Sequence, residues 1–144
     1  MAQGIIFSIV AGVFVSLQGV FNARLSDEIN LWHTNTWVHG TGFVVAFILL
    51  MSIEGTPNFN SITTVKPHYL LGGAMGAVIV FSVMKGISAL GASHSVTILL
   101  VTQIIASLLI SLLGLFGDPI IKLSIPNIIG LIMMVVGVLM YQLF

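Results

Sequence analysis

The chain has 144 residues, of which 58% are hydrophobic and 6% are charged, and its formal net charge is zero. A soluble domain carries roughly 25% charged residues, whereas this chain has a mean hydropathy of +1.18. A chain this apolar cannot cover itself with polar surface in water, which excludes a soluble globular fold. The balanced charge argues against nucleic acid as a partner. The absence of cysteine excludes disulfides, zinc thiolate sites and cysteine nucleophiles.

Five segments of the chain are long and apolar enough to cross a membrane. A spanning helix needs about 20 mostly apolar residues, and the segments are residues 4–21, 37–53, 68–85, 95–116 and 125–143. We therefore predict an all-α integral membrane bundle of about five transmembrane helices, forming a single transmembrane domain over residues 1–144. No Lys or Arg precedes the first segment, so we expect a retained span and not a cleaved signal peptide.

Polar or turn-rich breaks separate the five segments. They cover residues 22–36, 54–67, 86–94 and 117–124. The first contains Arg24, Asp27 and Glu28, and the second contains the turn sequence Gly55-Thr56-Pro57-Asn58. We expect each break to be a loop outside the hydrocarbon region. The odd number of spans would place the two termini on opposite sides of the membrane.

The first helix has one polar face. At 100° per residue, Gln18 and Asn22 lie one turn apart on a face of small and polar residues. Bulky residues such as Phe7, Phe14 and Phe21 lie on the opposite face, which suits contact with lipid. The two amides can act together on one ligand, or they can hydrogen-bond a neighbouring helix, and the pattern leaves both readings open.

The fourth helix repeats this arrangement with Gln103, Ser107 and Ser111 in a narrow sector. An unpaired polar group in hydrocarbon costs several kcal/mol, so Gln103 must find a partner, and we favour a cavity over a structural hydrogen bond. His39 lies inside Trp37 and next to Gly40, deeper than the other histidines. The predicted substrate-binding residues are therefore Gln18, Asn22, His39, Gln103, Ser107 and Ser111.

Glycines at helical spacing predict close packing between helices. Gly72, Gly73 and Gly76 form overlapping pairs of small residues in the third helix, and Gly130 and Gly137 lie two turns apart in the fifth. This pattern indicates helix packing or dimer contact and carries no chemistry of its own.

Catalytic and metal-binding patterns are missing from the sequence. It contains no clustered His, Asp and Glu set, no P-loop and no assignable Ser–His pair, so we expect neither an enzyme nor a metal or cofactor site. No carboxylate lies within a predicted span, although such an acid is the usual proton relay. Any proton dependence should then run through a histidine, most plausibly His39, or be absent.

Several segments, taken in order, resemble a known family over nearly the whole chain. They are Gln18-Gly19-Val20-Phe21-Asn22-Ala23-Arg24-Leu25, Gly72-Gly73-Ala74-Met75-Gly76-Ala77, Gln103-Ile104-Ile105-Ala106-Ser107 and Leu115-Phe116-Gly117. The sequence is similar to the small YdcZ-type members of the drug/metabolite transporter superfamily. Residues 107–143 also resemble the last two helices of the small multidrug resistance transporters, where glycines spaced like Gly130 and Gly137 form a subunit contact.

The resemblance implies five-helix half-transporters that pair in the bacterial inner membrane and move small organic solutes. Two departures concern coupling. The multidrug relatives keep an acid in their first helix, and the YdcZ pattern often has one at the position of Ser111, whereas this chain has neither. Both departures argue against proton coupling through a carboxylate at these positions.

The leading functional hypothesis is a secondary transporter for a small organic solute, working as an antiparallel homodimer. Lys66 and Lys122 would lie on one side of the membrane and Arg24 and Lys85 on the other, so the basic residues favour neither orientation. A passive channel for small solutes or ions and a membrane subunit that only assembles remain alternatives. Saturable, trans-stimulated uptake distinguishes the transporter from both.

Overall fold

A computed structural model describes residues 2–56 and 59–143 of the chain. Its α-helices are α1 (Ala2–Ile29), α2 (Leu31–Ile53), α3 (Gly72–Leu90), α4 (Ala92–Leu113) and α5 (Ile125–Leu143). Short 3-10 helices cover Asn60–Thr64, Pro67–Leu71 and Leu115–Gly117. Five helical segments are long and apolar enough to span a membrane. They are Ala2–Ile29, Leu31–Ile53, Pro67–Leu90, Ala92–Leu113 and Ile125–Gln142. The predicted all-α membrane fold with five spans is thereby confirmed.

The first predicted break is largely helical. Residues 22–36 were expected to form a loop, but α1 continues to Ile29 and α2 begins at Leu31. Arginine and glutamate are good helix formers, and the 28 residues of α1 reach about 42 Å, the thickness of a bilayer with its headgroups. The last two turns of α1 can therefore carry Arg24, Asp27 and Glu28 outside the apolar region.

A single residue, Asn30, separates α1 from α2. Its backbone has φ 66° and ψ 164°, a conformation that L side chains rarely adopt. The side-chain oxygen of Asn30 accepts hydrogen bonds from the main-chain N–H groups of Trp32 and His33, at 3.1 and 3.2 Å. This N-cap satisfies two of the donors that every helix leaves free in its first turn. The strained residue thus starts α2 immediately after α1 ends.

The remaining breaks also differ in extent from the prediction. Gly91, with φ 80°, is the one residue between α3 and α4, where residues 86–94 were expected to form a loop. Helix α4 ends at Leu113, not at 116, because Gly114 takes the left-handed conformation of a helix C-cap. Of the predicted turn Gly55-Thr56-Pro57-Asn58, the last two residues lie outside the described ranges.

The chain forms two compact units, residues 1–89 and 90–144. In the first unit, Gly19 of α1 lies against α3, where an added Cβ would meet Ile87 at 3.1 Å and Val83 at 3.2 Å. Trp32 of α2 stacks on Phe81 of α3 with ring centroids 4.7 Å apart, a contact worth about 1 kcal/mol. Glycine and aromatic contacts together hold α3 against the other two helices.

In the second unit, α4 and α5 are joined through polar groups near one end. Tyr141 hydrogen-bonds Ser93 through their hydroxyls, and the Gln142 amide donates to the His94 carbonyl at 3.1 Å. The rings of His94 and Tyr141 lie 5.6 Å apart. Beyond the other end of α4, the chain folds back so that the N–H of Ile121 donates to the Ser111 carbonyl at 3.2 Å.

The distribution of burial is that of a membrane protein, with apolar side chains outside. Phe7, Phe14 and Phe21 are 72%, 67% and 67% exposed, as expected for the lipid-facing stripe of α1. The buried polar residues are Asn22, Ser26, Thr34 and Asn35, all in the first unit. The most enclosed part of the described chain is therefore rich in amides and hydroxyls.

Candidate functional site

A groove between α1 and α2 brings two of the predicted site residues together. It measures about 530 Å³, and Gln18, Phe21 and Asn22 of α1 face Trp37, Val38 and Thr41 of α2 across it. We call this the amide groove. Asn22 is only 8% exposed, whereas Gln18 is open to the groove. Because the two amides are spaced four residues apart, they lie on one face and can contact the same ligand.

His39 lies on a different side of α2, against α3. Its Nδ1 is 2.9 Å from the carbonyl oxygen of Asn35, and because a carbonyl only accepts, Nδ1 carries the proton and donates. The other ring nitrogen, Nε2, faces α3 at Gly76, where an alanine Cβ would come within 3.2 Å of it. His39 therefore does not line the amide groove with Gln18 and Asn22, although it is half-buried nearby on the same helix.

Asn35 connects α2 to α3 through its amide. The Nδ2 of Asn35 donates to the carbonyl of Ala77 at 2.9 Å. With His39 one turn further along, the polar face of α2 thus lies against the adjacent small residues Gly76 and Ala77. A Cβ added at Gly76 would lie 3.2 Å from the His39 ring, so the small residue at this position permits the close packing of α2 on α3.

Sequence reasoning missed Ser26, Thr34 and Asn35 because they fall in the break that was expected to be a loop. A signal was present, since Asn22 and Ser26 are spaced four residues apart, as are Asn35 and His39. Continuing the helical periodicity of both helices towards Asn30 would have placed all of these side chains on buried faces.

A second groove runs along α2 and is lined by aromatic rings. It measures about 910 Å³ and includes Trp32, His33, Thr36, Trp37 and Gly40. We call this the tryptophan groove. Trp37 and Thr41 line both grooves, so this part of α2 forms the wall between the amide groove and the tryptophan groove.

In the second unit, Ser107 and Ser111 line a groove of about 370 Å³ with Asn127 and Gly130 of α5. The Ser107 hydroxyl donates to the Ile104 carbonyl at 3.0 Å, within its own helix. The Ser111 hydroxyl donates to the carboxylate of Asp118, a residue that sequence reasoning placed outside the spans. An acid is therefore in contact with Ser111 although none occupies position 111.

Gln103 and most of the glycines of interest lie on the outer surface of the described chain. Gln103 is exposed and does not line the groove with Ser107 and Ser111. At Gly72, Gly73, Gly130 and Gly137, no atom lies within 4 Å of an added Cβ. The shared cavity of Gln18, Asn22 and Gln103 and the glycine seams therefore stay predictions.

The amide groove can bind a solute by hydrogen bonding and by stacking on an indole ring. None of its lining residues carries a formal charge. Neutral amides and hydroxyls recognise donors and acceptors at fixed positions, and Trp37 offers an aromatic face. The groove therefore offers hydrogen-bonding groups and an aromatic face, with no charged residue to select for net charge.

We predict that Gly76→Ala disturbs His39 and that Gly73→Ala, the matched control, does not. Alanine in a helix is favoured over glycine by up to about 1 kcal/mol, and at Gly73 nothing opposes that gain. At Gly76 the new methyl group displaces the imidazole and weakens its hydrogen bond to Asn35, which costs about 1 kcal/mol. Thermal unfolding in detergent should rank Gly76→Ala below Gly73→Ala. Equal midpoints would contradict the contact.

Comparison with known proteins supplies independent information. Residues 3–140 match the sequence model of a family described as "Putative inner membrane exporter, YdcZ". The chain is 26% identical over 133 residues to the inner membrane protein YdcZ of Escherichia coli (strain K12), covering 91% of this chain and 89% of that protein. No solved structure matches the chain.

Proposed function

Because the chain belongs to the YdcZ family of inner membrane proteins, we propose that it exports a small organic solute by alternating access. The protein is a multi-pass inner membrane protein of a transporter family and not an enzyme. The amide groove is the proposed solute site. The direction of transport, out of the cell, is taken from the description of the family as exporters. Alternating access is inferred from the arrangement of the polar residues.

The observation that carries the proposal is the neutral, polar interior of an otherwise apolar protein. Asn22, Ser26, Thr34 and Asn35 are all at least nine-tenths buried. Asn22 lines the amide groove together with Gln18, and neutral polar groups that line a cavity between helices form the solute sites of transporters.

We propose that α4 completes the site. Gln103, Ser107 and Ser111 form a second neutral polar face with the same residue types as α1. Transporters built from inverted repeats place the solute between the two repeats. In this arrangement the amide groove of one copy and the α4 face of the other copy contact opposite sides of one solute.

The proposed working unit is an antiparallel homodimer. Five spans per chain and basic residues divided two against two allow both orientations in the membrane. Two oppositely inserted copies generate an inverted repeat of ten helices without any gene duplication. Gly130 and Gly137 on α5 are the proposed contact between the copies, since a Cβ added at either glycine would meet no other helix of the described chain within 4 Å.

A passive channel is the second candidate, favoured by the neutral lining of the amide groove. A channel needs weak interactions along its path, and neutral amides and hydroxyls provide them. Flux through a channel does not saturate at solute concentrations that saturate a transporter. Trans-stimulation in proteoliposomes therefore separates the two candidates.

We predict that Asn22→Leu and Gln103→Leu each abolish transport of a solute that is first identified by a thermal-shift screen. Each substitution removes an amide that hydrogen-bonds the solute and keeps a similar volume, so insertion into the membrane should persist. Phe14→Leu on the lipid-facing side is the control and should transport at the wild-type rate. Wild-type rates in both amide variants would exclude the proposed site.

The antiparallel dimer predicts that each loop is found on both sides of the membrane. Glu28→Cys at the end of α1 and Thr63→Cys between α2 and α3 place single thiols at opposite ends of α2, in a chain without native cysteine. Neither substitution changes the number of basic residues. An impermeant thiol reagent applied to intact spheroplasts should label about half of each variant, as expected for two orientations, and permeabilised membranes give the total.

Complete labelling at one position and none at the other would contradict dual insertion. That result would leave a parallel assembly or a different partner chain as the second half of the transporter.

A further inference from the structure

The hydroxyl of Thr34 behaves unlike those of the other threonines in the spans. Thr36, Thr41, Thr97 and Thr102 each donate to the carbonyl four residues back, at 2.6–3.0 Å. The main-chain N–H of Thr34 donates to the Asn30 carbonyl at 3.1 Å. Its Oγ1, however, is buried without a hydrogen-bond partner among the described residues. Thr34 has no exposed surface at all, so this oxygen faces the interior of the first unit.

Asn35 presents a second buried oxygen beside it in the chain. Its Nδ2 is held by the Ala77 carbonyl at 2.9 Å, which fixes the plane of the amide. Its Oδ1 is buried and has no partner among the described residues. Leaving such an oxygen unpaired costs free energy that a bound group can recover. Two consecutive residues thus offer enclosed oxygens at the start of α2.

The end of α1, one residue before α2, favours a positively charged occupant, and the first N–H groups of α2 do not oppose it because Asn30 already accepts their hydrogen bonds. Ser26 donates its proton to the Ala23 carbonyl at 2.7 Å, so its oxygen remains available only as an acceptor. Helix α1 ends at Ile29, and the carbonyls of a last turn lack partners within the helix and carry partial negative charge. Asp27 and Glu28 against Arg24 add a net charge of −1 at this end of α1.

The type of oxygen decides which cation fits. The buried polar side chains are the hydroxyls of Ser26 and Thr34 and the amides of Asn22 and Asn35, with no carboxylate among them. Calcium and magnesium sites in proteins rely on carboxylates to offset two charges. Neutral side-chain oxygens and helix-end carbonyls instead coordinate Na⁺ in secondary transporters.

We propose that Thr34 and Asn35 supply the fixed oxygens of a binding site for a monovalent cation, Na⁺, at the buried end of the α1–α2 pair. The binding itself is independent of the proposed export function, and only its use as a coupling ion rests on that function. Asn35 also holds α3 through Ala77, so an ion on its Oδ1 would stabilise the contact between α2 and α3.

The test compares Thr34→Val with Thr36→Val, two equal substitutions on one helix. The full-length protein in detergent is heated in NaCl, KCl or choline chloride at equal ionic strength, over a range of Na⁺ concentrations. The wild type and Thr36→Val should show a saturable rise in unfolding temperature with Na⁺ and none with choline. Thr34→Val should lose that rise, and its unfolding temperature in choline should equal or exceed the wild-type value because an unpaired oxygen has been removed.

The wild type should therefore unfold at a higher temperature than Thr34→Val in NaCl, but not in choline chloride. Thr34→Ser, which keeps the oxygen, should retain the Na⁺ response. Equal unfolding temperatures of the wild type in NaCl and choline would overturn the proposal. A Na⁺ response that survives in Thr34→Val would also overturn it. An equal loss of stability by Thr34→Val in both salts would overturn it as well, because it would indicate that only a water molecule is bound there.

Discussion

Every polar group inside a bilayer needs a partner, because hydrocarbon offers none. This constraint places the apolar stripe of Phe7, Phe14 and Phe21 outside, and the buried polar residues Asn22, Ser26, Thr34 and Asn35 lie in the first unit, on both sides of the turn between α1 and α2. It also explains the short connection at Asn30, whose side chain caps α2 directly after α1 ends. The arrangement of the first three helices follows from this requirement, with apolar contacts such as Trp32 on Phe81 adding stability.

The same constraint links the amide groove to the contact between α2 and α3. Helix α2 carries Trp37 and Thr41 towards α1, and Asn35 and His39 towards α3. The helix that forms one wall of the groove is therefore also the helix whose Asn35 amide is bonded to α3. A movement of α2 relative to α3 would break this hydrogen bond, which links the proposed solute site to the packing of α3.

Periodicity and composition were sufficient to predict the fold class, five spans and the face of α1 that carries Gln18 and Asn22. They failed where polarity was taken to mean a loop, since Arg24 and Glu28 lie in regular helix beyond the hydrocarbon. That error hid Thr34 and Asn35, whose burial depends on the single-residue turn at Asn30 and on its unusual backbone angles. The contact of Asp118 with Ser111 depends on the path of the chain after Gly114, and no local pattern encodes it.

Water access along α2 tests most directly whether the polar interior is the solute pathway. Thr41→Cys places a thiol on the wall shared by the two grooves, and Phe43→Cys places one on a side chain that is 68% exposed and does not line either groove. A small water-soluble thiol reagent should modify position 41 in native membranes much faster than position 43, and an exported solute should slow the reaction at 41 only. Equal rates at the two positions, or no protection by any solute that is exported, would contradict a solute pathway through the amide groove.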